Sequence, residues 1–263
     1  MSKACKLTVA YDCTFLGLGY INPKSRTGIY RVVQDGLLAL LNQPSINLNL
    51  SSIGDKNSAW NETASKLCLR TLNLNLEDKL IASYPSWVHS SLSLPIKFQK
   101  KIIENSFQSF PLLYKGGLAL QIPIDSLTQN SKKHLAHPNF DVYHSSFLAL
   151  PSILSNLNIP RILTVHDLIP ILFPQFCTQR TLDRFKEILS SINPEKDWII
   201  CVSEATKNDF CEYIKIDPAR VFVVPNAASK YFQRADSDRK IDAVINRYGL
   251  AKNSYLLSLS TIE

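Results

Sequence analysis

Short apolar runs that stop at polar or titratable side chains recur along this chain. The clearest run covers residues 162–165, and His166 and Asp167 follow it at once. Four apolar or β-branched residues in a row are typical of a strand buried on both faces of a parallel sheet. Similar runs predict further strands over residues 7–11, 46–52, 141–145, 198–202, 221–224 and 255–260.

Helical periodicity separates several of these runs. Apolar residues recur at intervals of three and four over residues 29–41, which predicts an amphipathic helix. Further helices are predicted over residues 181–192, 204–214 and 240–248. Strands that alternate with helices indicate an α/β protein with a Rossmann-like, doubly wound parallel sheet. No internal repeat is visible.

A glycine-containing loop is predicted after the first strand. Gly17 and Gly19 lie in this loop, and Arg26, Thr27 and Gly28 lie where it meets the helix over residues 29–41. The free N–H groups at a helix start can bind an anion, and Arg26 adds positive charge there. The glycines do not form the GxGxxG pattern, so a nicotinamide-dependent oxidoreductase is disfavoured.

Polar groups follow three predicted strands, at residues 12–19, at His166-Asp167 and at Ser203-Glu204. The carboxyl ends of parallel strands meet at one edge of a sheet, so we expect these groups to share one crevice. Ser203 is also a good helix N-cap, and a histidine satisfied at a strand end is the structural interpretation of His166. A Ser-His-Asp hydrolase is disfavoured because the GxSxG elbow is missing.

Composition narrows the choice of compartment and partner. The chain has 263 residues, six cysteines without a CxxC pair and a formal net charge of +7. It shows no signal-peptide pattern and no run near the roughly 18 apolar residues of a membrane-spanning helix, so we expect a reduced, cytoplasmic protein. The charge favours anionic partners, but no nucleic-acid motif accompanies it. His134 and His137 lack further ligands, so no metal site is predicted.

Residues 53–140 are rich in Ser, Asn and Leu, and their pattern favours one basic amphipathic helix, over residues 96–110. Lys97, Lys100 and Lys101 lie among apolar residues there. One interpretation is a peripheral contact with the inner face of the membrane. The alternative is a helix that packs on the sheet and leaves its lysine face in solvent.

Five short segments occur together in an order that is familiar from a known family. They are Arg26-Thr-Gly-Ile-Tyr-Arg31, Asp141-Val-Tyr-His-Ser-Ser146, Thr164-Val-His-Asp-Leu-Ile-Pro170, Cys201-Val-Ser-Glu-Ala-Thr206 and Val223-Val-Pro-Asn226. The chain thereby resembles glycosyltransferase family 4, in its amino-terminal, acceptor-side domain. The resemblance implies a GT-B architecture, in which two Rossmann-like domains face each other across a cleft. It also implies transfer of a sugar from a UDP- or GDP-linked donor to a saccharide or lipid-linked acceptor, with retention of configuration and without a metal or other cofactor.

The resemblance assigns roles to individual residues. Gly17, Gly19, Arg26, Thr27 and Gly28 would approach the donor diphosphate and the acceptor. His166 would lie beside the transferred sugar. Asp167 would orient the His166 ring or cap the next loop, and Ser203 and Glu204 would face the cleft.

The resemblance divides the chain into an amino-terminal domain over residues 1–229 and a connector with the first elements of a second domain over residues 230–263. The Arg-Lys pair and the acidic motif of the donor-binding half are missing, so a truncated or split transferase without activity of its own is expected. A second chain would then supply the donor domain. The alternative is a non-catalytic, Rossmann-like binding module.

Overall fold

A parallel sheet of six strands organises the protein. The computed structural model describes residues 6–54, 58–72, 76–104, 139–228, 233 and 237–258. Its strands are β1 (Leu7–Asp12), β2 (Ile46–Ser51), β3 (Val142–Ser145), β4 (Arg161–Val165), β5 (Trp198–Cys201) and β6 (Val221–Val223). They are arranged in the order β2-β1-β3-β4-β5-β6, and every pair is parallel. The predicted α/β, Rossmann-like fold is confirmed.

The order of the strands reverses at β1. The chain first adds β2 on one side of β1 and then adds β3 and the later strands on the other side. Val9, Ala10 and Tyr11 pair with Val142, Tyr143 and His144 across the reversal. Two neighbouring strands whose connections leave in opposite directions open a crevice at their carboxyl ends, and that crevice is where open α/β sheets bind ligands.

Helices cover the sheet, and both faces of β1 are buried. The helices are α1 (Thr14–Ile21), α2 (Gly28–Leu41), α3 (Ser58–Thr71), α4 (Ser86–Glu104), α5 (Ile169–Leu172), α6 (Gln179–Ser190), α7 (Glu204–Ile214) and α8 (Asp238–Arg247). Tyr11 packs into a cluster formed with α1 to α4, whereas Ala10 packs with β3 to β5 and α7 on the other face. Successive strand residues point to opposite faces, so one strand contributes to two cores.

The chain divides into two compact units, Met1–Pro225 and Asn226–Glu263. The first contains the whole sheet, and the described part of the second contains one helix, α8. Residues 255–258 do not form the strand predicted over residues 255–260, and Leu256 and Leu257 are exposed. Residues 259 and 260 of that prediction lie outside the described residues.

The amino edge of β4 is closed by a buried ion pair. Nε and Nη2 of Arg161 donate to the two carboxylate oxygens of Asp197, at 2.9 and 2.7 Å. The guanidinium also donates to the Pro151 carbonyl at 3.3 Å. Asp197 accepts a further hydrogen bond from the backbone N–H of Asn193 at 2.7 Å. The pair therefore connects β4 to the loops that precede β4 and β5.

The segment after β1 is a helix and not the predicted glycine loop. Gly17 and Gly19 both lie inside α1 and are buried. A Cβ atom on Gly17 would come within 2.6 Å of the Ser65 backbone nitrogen, and a Cβ atom on Gly19 would overlap the Tyr30 ring. These glycines therefore allow α1 to approach α3 and Tyr30 closely.

We predict that Gly17→Ala lowers the free energy of unfolding by about 1–3 kcal/mol, because the added methyl group meets backbone atoms that cannot rotate away. Gly28→Ala is the matched control, since no atom lies within 4 Å of its Cβ position. Alanine at a helix start is expected to leave stability unchanged or to raise it by up to about 1 kcal/mol. Urea unfolding followed by circular dichroism measures both variants. Equal stabilities would contradict the close packing of α1.

Candidate functional site

A pocket of about 160 Å³ lies at the carboxyl edge of the sheet. It is lined by the last residue of β1, by residues that follow β1, β2 and β3, and by one side of α6. These residues are Asp12, Thr14, Ile53, Gly54, Asn61, Leu148, Ala149, Pro151, Arg184, Glu187 and Ile188. This is the place where the strand order reverses. We call it the switch-point pocket.

Asp12 is the buried carboxyl group of this pocket, with 5% of its surface exposed. Its Oδ1 accepts the Thr14 backbone N–H at 2.8 Å, and its Oδ2 accepts the Tyr143 hydroxyl at 3.2 Å. Burial raises the pKa of Asp12, and the hydrogen bonds from Thr14 and Tyr143 oppose that rise. Oxygen acceptors held in this way suit a ligand that is rich in hydroxyl groups.

The side of the pocket formed by α6 carries charge. Arg184, Glu187 and Ile188 lie three and four residues apart, so they share one face of the helix. Loss of hydration lowers the pKa of Arg184, and repulsion from Arg180 adds to the effect. Among the described residues, the Arg184 guanidinium makes no hydrogen bond or ion pair. Its donors are therefore available to a ligand.

His166 lies directly after β4, beside the segment that enters the pocket. Its Nε2 is 2.9 Å from the Ser146 carbonyl oxygen, which can only accept a hydrogen bond. The Nε2 atom therefore carries a proton, and in the neutral form of the ring the lone pair lies on Nδ1. The ring packs edge-on against Phe147, with 6.1 Å between centroids, and Leu148 and Ala149 then line the pocket.

The polar side chains near His166 form hydrogen bonds mainly with backbone groups. Asp167 Oδ1 accepts the Ile169 N–H at 3.0 Å, so this carboxylate closes a turn at the start of α5. Ser203 Oγ accepts the Thr206 N–H at 3.1 Å as the N-cap of α7. Thr206 Oγ1 in turn donates to the His166 carbonyl at 3.3 Å. The turns after β4 and β5 are thereby joined at His166.

A comparison with protein families finds one match. The model described as Glycosyltransferase Family 4 matches residues 95–229, which is half of the chain. The chain belongs to glycosyltransferase family 4. A glycosyltransferase-type function in general follows from this membership. The curated proteins that were compared contain no match to the sequence.

The matched part of this family 4 domain includes the strands β3 to β6, His166, and the helices α6 and α7. The part before it supplies Asp12, Thr14 and Asn61 to the pocket. No helix in the described parts of the chain is long and apolar enough to span a bilayer. The described residues also contain no group of three or more His, Cys, Asp or Glu side chains that could hold a metal ion. His134 and His137 lie outside the described residues.

The nine residues predicted for the site are not all brought together. The turns of His166-Asp167 and Ser203-Glu204 are adjacent, as the contacts of Thr206 show. Gly17 and Gly19 are buried inside α1. Arg26, Thr27 and Gly28 are exposed at the start of α2, where Arg26 Nε donates to the Gly19 carbonyl at 2.9 Å.

None of the nine predicted residues lines the switch-point pocket, although Asp12, at the predicted crevice, does. Among the polar pocket residues, Thr14 lies in the predicted range 12–19, whereas the sequence did not indicate Asn61, Arg184 and Glu187. They lie on helices, where one polar side chain gives no local signal. Gly54 had a usable signal, because it closely follows a predicted strand.

A second imidazole lies close to these residues but has a structural role. Nε2 of His144, in β3, is 2.9 Å from the Thr164 hydroxyl, and its ring packs edge-on against Tyr11 at 5.4 Å. Burial lowers the pKa of His144 to about 4 from its ordinary value of 6.5. This histidine is therefore neutral at physiological pH.

We predict that His144 makes the family 4 domain less stable in acid. The unfolded chain binds a proton at this histidine near pH 6.5, whereas the folded chain binds it only near pH 4. Stability is therefore lost as the pH falls from about 6.5 to about 4, by up to about 3 kcal/mol. His144→Gln keeps a hydrogen-bonding group without this titration.

Urea unfolding at a series of pH values from 7.5 to 4 measures the effect. The unfolding free energy of the wild type is expected to fall relative to that of His144→Gln across this window. A constant difference between the two proteins would contradict a neutral, buried His144.

Proposed function

We propose that residues 1–229 form the acceptor-side domain of a retaining, nucleotide-sugar-dependent glycosyltransferase with GT-B architecture. In this proposal the switch-point pocket holds a sugar ring of the acceptor. The observation that carries it is the lining of that pocket, in which Asp12, Arg184 and other polar side chains lie among apolar ones. Each sugar hydroxyl can both donate and accept a hydrogen bond, so a pocket with acceptors and donors suits a sugar ring.

The size of the pocket supports a small ligand. Its volume of about 160 Å³ is below the roughly 300 Å³ at which sites for larger ligands begin. A single sugar ring suits this space better than a nucleotide. The donor, a UDP- or GDP-linked sugar, would then lie outside this pocket.

His166 is proposed to act on the transferred sugar. The Nε2–H group of His166 donates to the Ser146 carbonyl. Nδ1 is therefore the ring atom that can accept a hydrogen bond from a sugar hydroxyl. Such a fixed acceptor would stabilise positive charge that develops on the sugar in an oxocarbenium-like transition state. Asp167 would position His166 indirectly, through the turn that it closes at the start of α5.

The donor diphosphate is proposed to approach the start of α2. Thr27 is the N-cap of this helix and makes no capping hydrogen bond with its side chain, and the space around Gly28 is open. Backbone N–H groups in this position favour a phosphate oxygen. Ser203 and Glu204 would lie at the same carboxyl edge of the sheet. The main role of Ser203 would be that of N-cap of α7.

In a GT-B enzyme the donor is bound by a second Rossmann-like domain that faces the acceptor-side domain. In this proposal the domain over residues 1–229 therefore binds the acceptor, and the donor sugar is bound mainly by that second domain.

We predict that acceptor-type mono- and oligosaccharides bind to the polypeptide and that Arg184→Ala weakens this binding by at least about tenfold, because charge-assisted hydrogen bonds are lost. Saturation-transfer-difference NMR titrations measure the affinity. Arg180→Ala is the matched control, since Arg180 lies one turn earlier on α6 and does not line the pocket. Calorimetry with UDP- and GDP-sugars, in which weak or no binding is expected, accompanies the titrations.

Equal saccharide binding by the wild type and Arg184→Ala would contradict the assignment of the pocket. Tight binding of a nucleotide-sugar that is lost in Arg184→Ala would make the pocket a donor site. A polypeptide that binds neither class of ligand would favour a non-catalytic binding module.

A further inference from the structure

Helix α4 exposes large apolar side chains on the side that faces away from the core. Trp87, Leu94 and Phe98 are 56%, 75% and 59% exposed. They are separated by seven and four residues, so they lie within roughly 40° of one another around the helix and extend over about 16 Å of its length. Together with Lys97 and Lys101, which are also exposed, they form what we call the basic-aromatic face of α4.

The opposite side of the same helix already supplies the core. Val88, Leu92 and Ile96 are buried in the cluster formed with α1 to α3. The basic-aromatic face is therefore not needed for packing within the described part of the chain. The sequence predicted this helix over residues 96–110, but it begins ten residues earlier, at Ser86, and so includes Trp87 and Leu94. Residues 105–110 lie outside the described residues.

Helix α4 carries more positive than negative charge. Its only acidic residue is Glu104, which pairs with Lys100 at 3.6 Å. Lys100 also lies over the Tyr20 ring, with its Nζ 4.3 Å from the centroid. Lys97 and Lys101 make no ion pair within the described residues. The exposed face therefore combines apolar side chains with two lysines, and the one acidic residue of the helix, Glu104, lies at its last position and pairs with Lys100.

We propose that the basic-aromatic face of α4 docks on the surface of an anionic phospholipid bilayer. Trp87, Leu94 and Phe98 would enter the boundary between headgroups and acyl chains, and Lys97 and Lys101 would extend to the lipid phosphates. A bilayer surface is preferred to a protein partner because this face is convex and narrow. A stable protein interface needs about 800 Å² on each partner, which one helix face with three large apolar side chains does not supply.

The experiment titrates the wild-type polypeptide with vesicles of phosphatidylcholine alone and with vesicles that contain 30% phosphatidylglycerol. Trp87 is the most exposed of the three tryptophans, since Trp60 is buried and Trp198 is partly buried. Its emission is expected to shift to the blue, and its quenching by iodide to fall, only with the anionic vesicles. Trp87→Phe is expected to lose both signals while it keeps binding in co-sedimentation.

Matched variants separate this face from general charge and hydrophobicity. Lys97→Gln/Lys101→Gln is expected to lower the partition coefficient by about fivefold for each lysine, whereas Lys24→Gln/Lys186→Gln, at exposed lysines elsewhere, is expected to have little effect. Phe98→Ser is expected to lower it by roughly tenfold, and Tyr213→Ser, on an exposed tyrosine of α7, to leave it unchanged. All of these side chains are at the surface, and circular dichroism verifies the fold.

Three results would overturn the proposal. The first is equal binding to neutral and anionic vesicles, or equal losses in the α4 variants and their controls. The second is a concentration-dependent dimer in light scattering that Phe98→Ser abolishes, which would assign the face to a second copy of the chain. The third is protection of Trp87 from iodide without vesicles, which would mean that the face is covered within the protein. This test does not depend on saccharide binding, so its outcome is separate from that of the acceptor-site titration.

Discussion

The parallel pairing of β1 with β3 is the constraint on which the rest of the structure depends. Val9, Ala10 and Tyr11 pair with Val142, Tyr143 and His144, which lie more than 130 residues later in the chain. This pairing places β1 inside the sheet and reverses the strand order beside it. The Asp12–Tyr143 and Ser146–Tyr11 hydrogen bonds, at 3.2 and 2.7 Å, both cross the same junction. The pairing therefore brings together Asp12 at the end of β1 and the residues after β3 that line the switch-point pocket.

The two edges of the sheet handle buried polar groups differently. At the amino edge, Arg161 and Asp197 neutralise each other and close the structure. A buried pair of this kind costs desolvation, so excellent geometry and extra hydrogen bonds are required to offset it. At the carboxyl edge, Asp12 has hydrogen bonds but no cationic partner within ion-pair distance among the described residues, and its pKa is raised. The switch-point pocket lies at this carboxyl edge.

One short segment connects the two parts of the candidate site. Ser146 accepts the His166 ring N–H through its carbonyl, and its side chain donates to Tyr11. Phe147 packs between Phe15 and His166, and Leu148 lines the pocket. Ser146 and Phe147 position His166, and Leu148 of the same segment lines the pocket together with Asp12. A chemical role for the histidine and a binding role for the pocket are compatible because this segment holds them at neighbouring strand ends.

The sequence by itself determined the α/β class, most of the strands and the helices α2, α6, α7 and α8, because apolar periodicity reports directly which faces are buried. It also placed His166 and Ser203 at strand ends, since such ends are visible where an apolar run stops. The helical state of Gly17 and Gly19 depended on Ser65 and Tyr30, which are distant in sequence. Only the tertiary structure placed Arg184 in the pocket that Asp12 also lines and left one side of α4 exposed. The order of residues along a helix does not reveal which other elements pack against it.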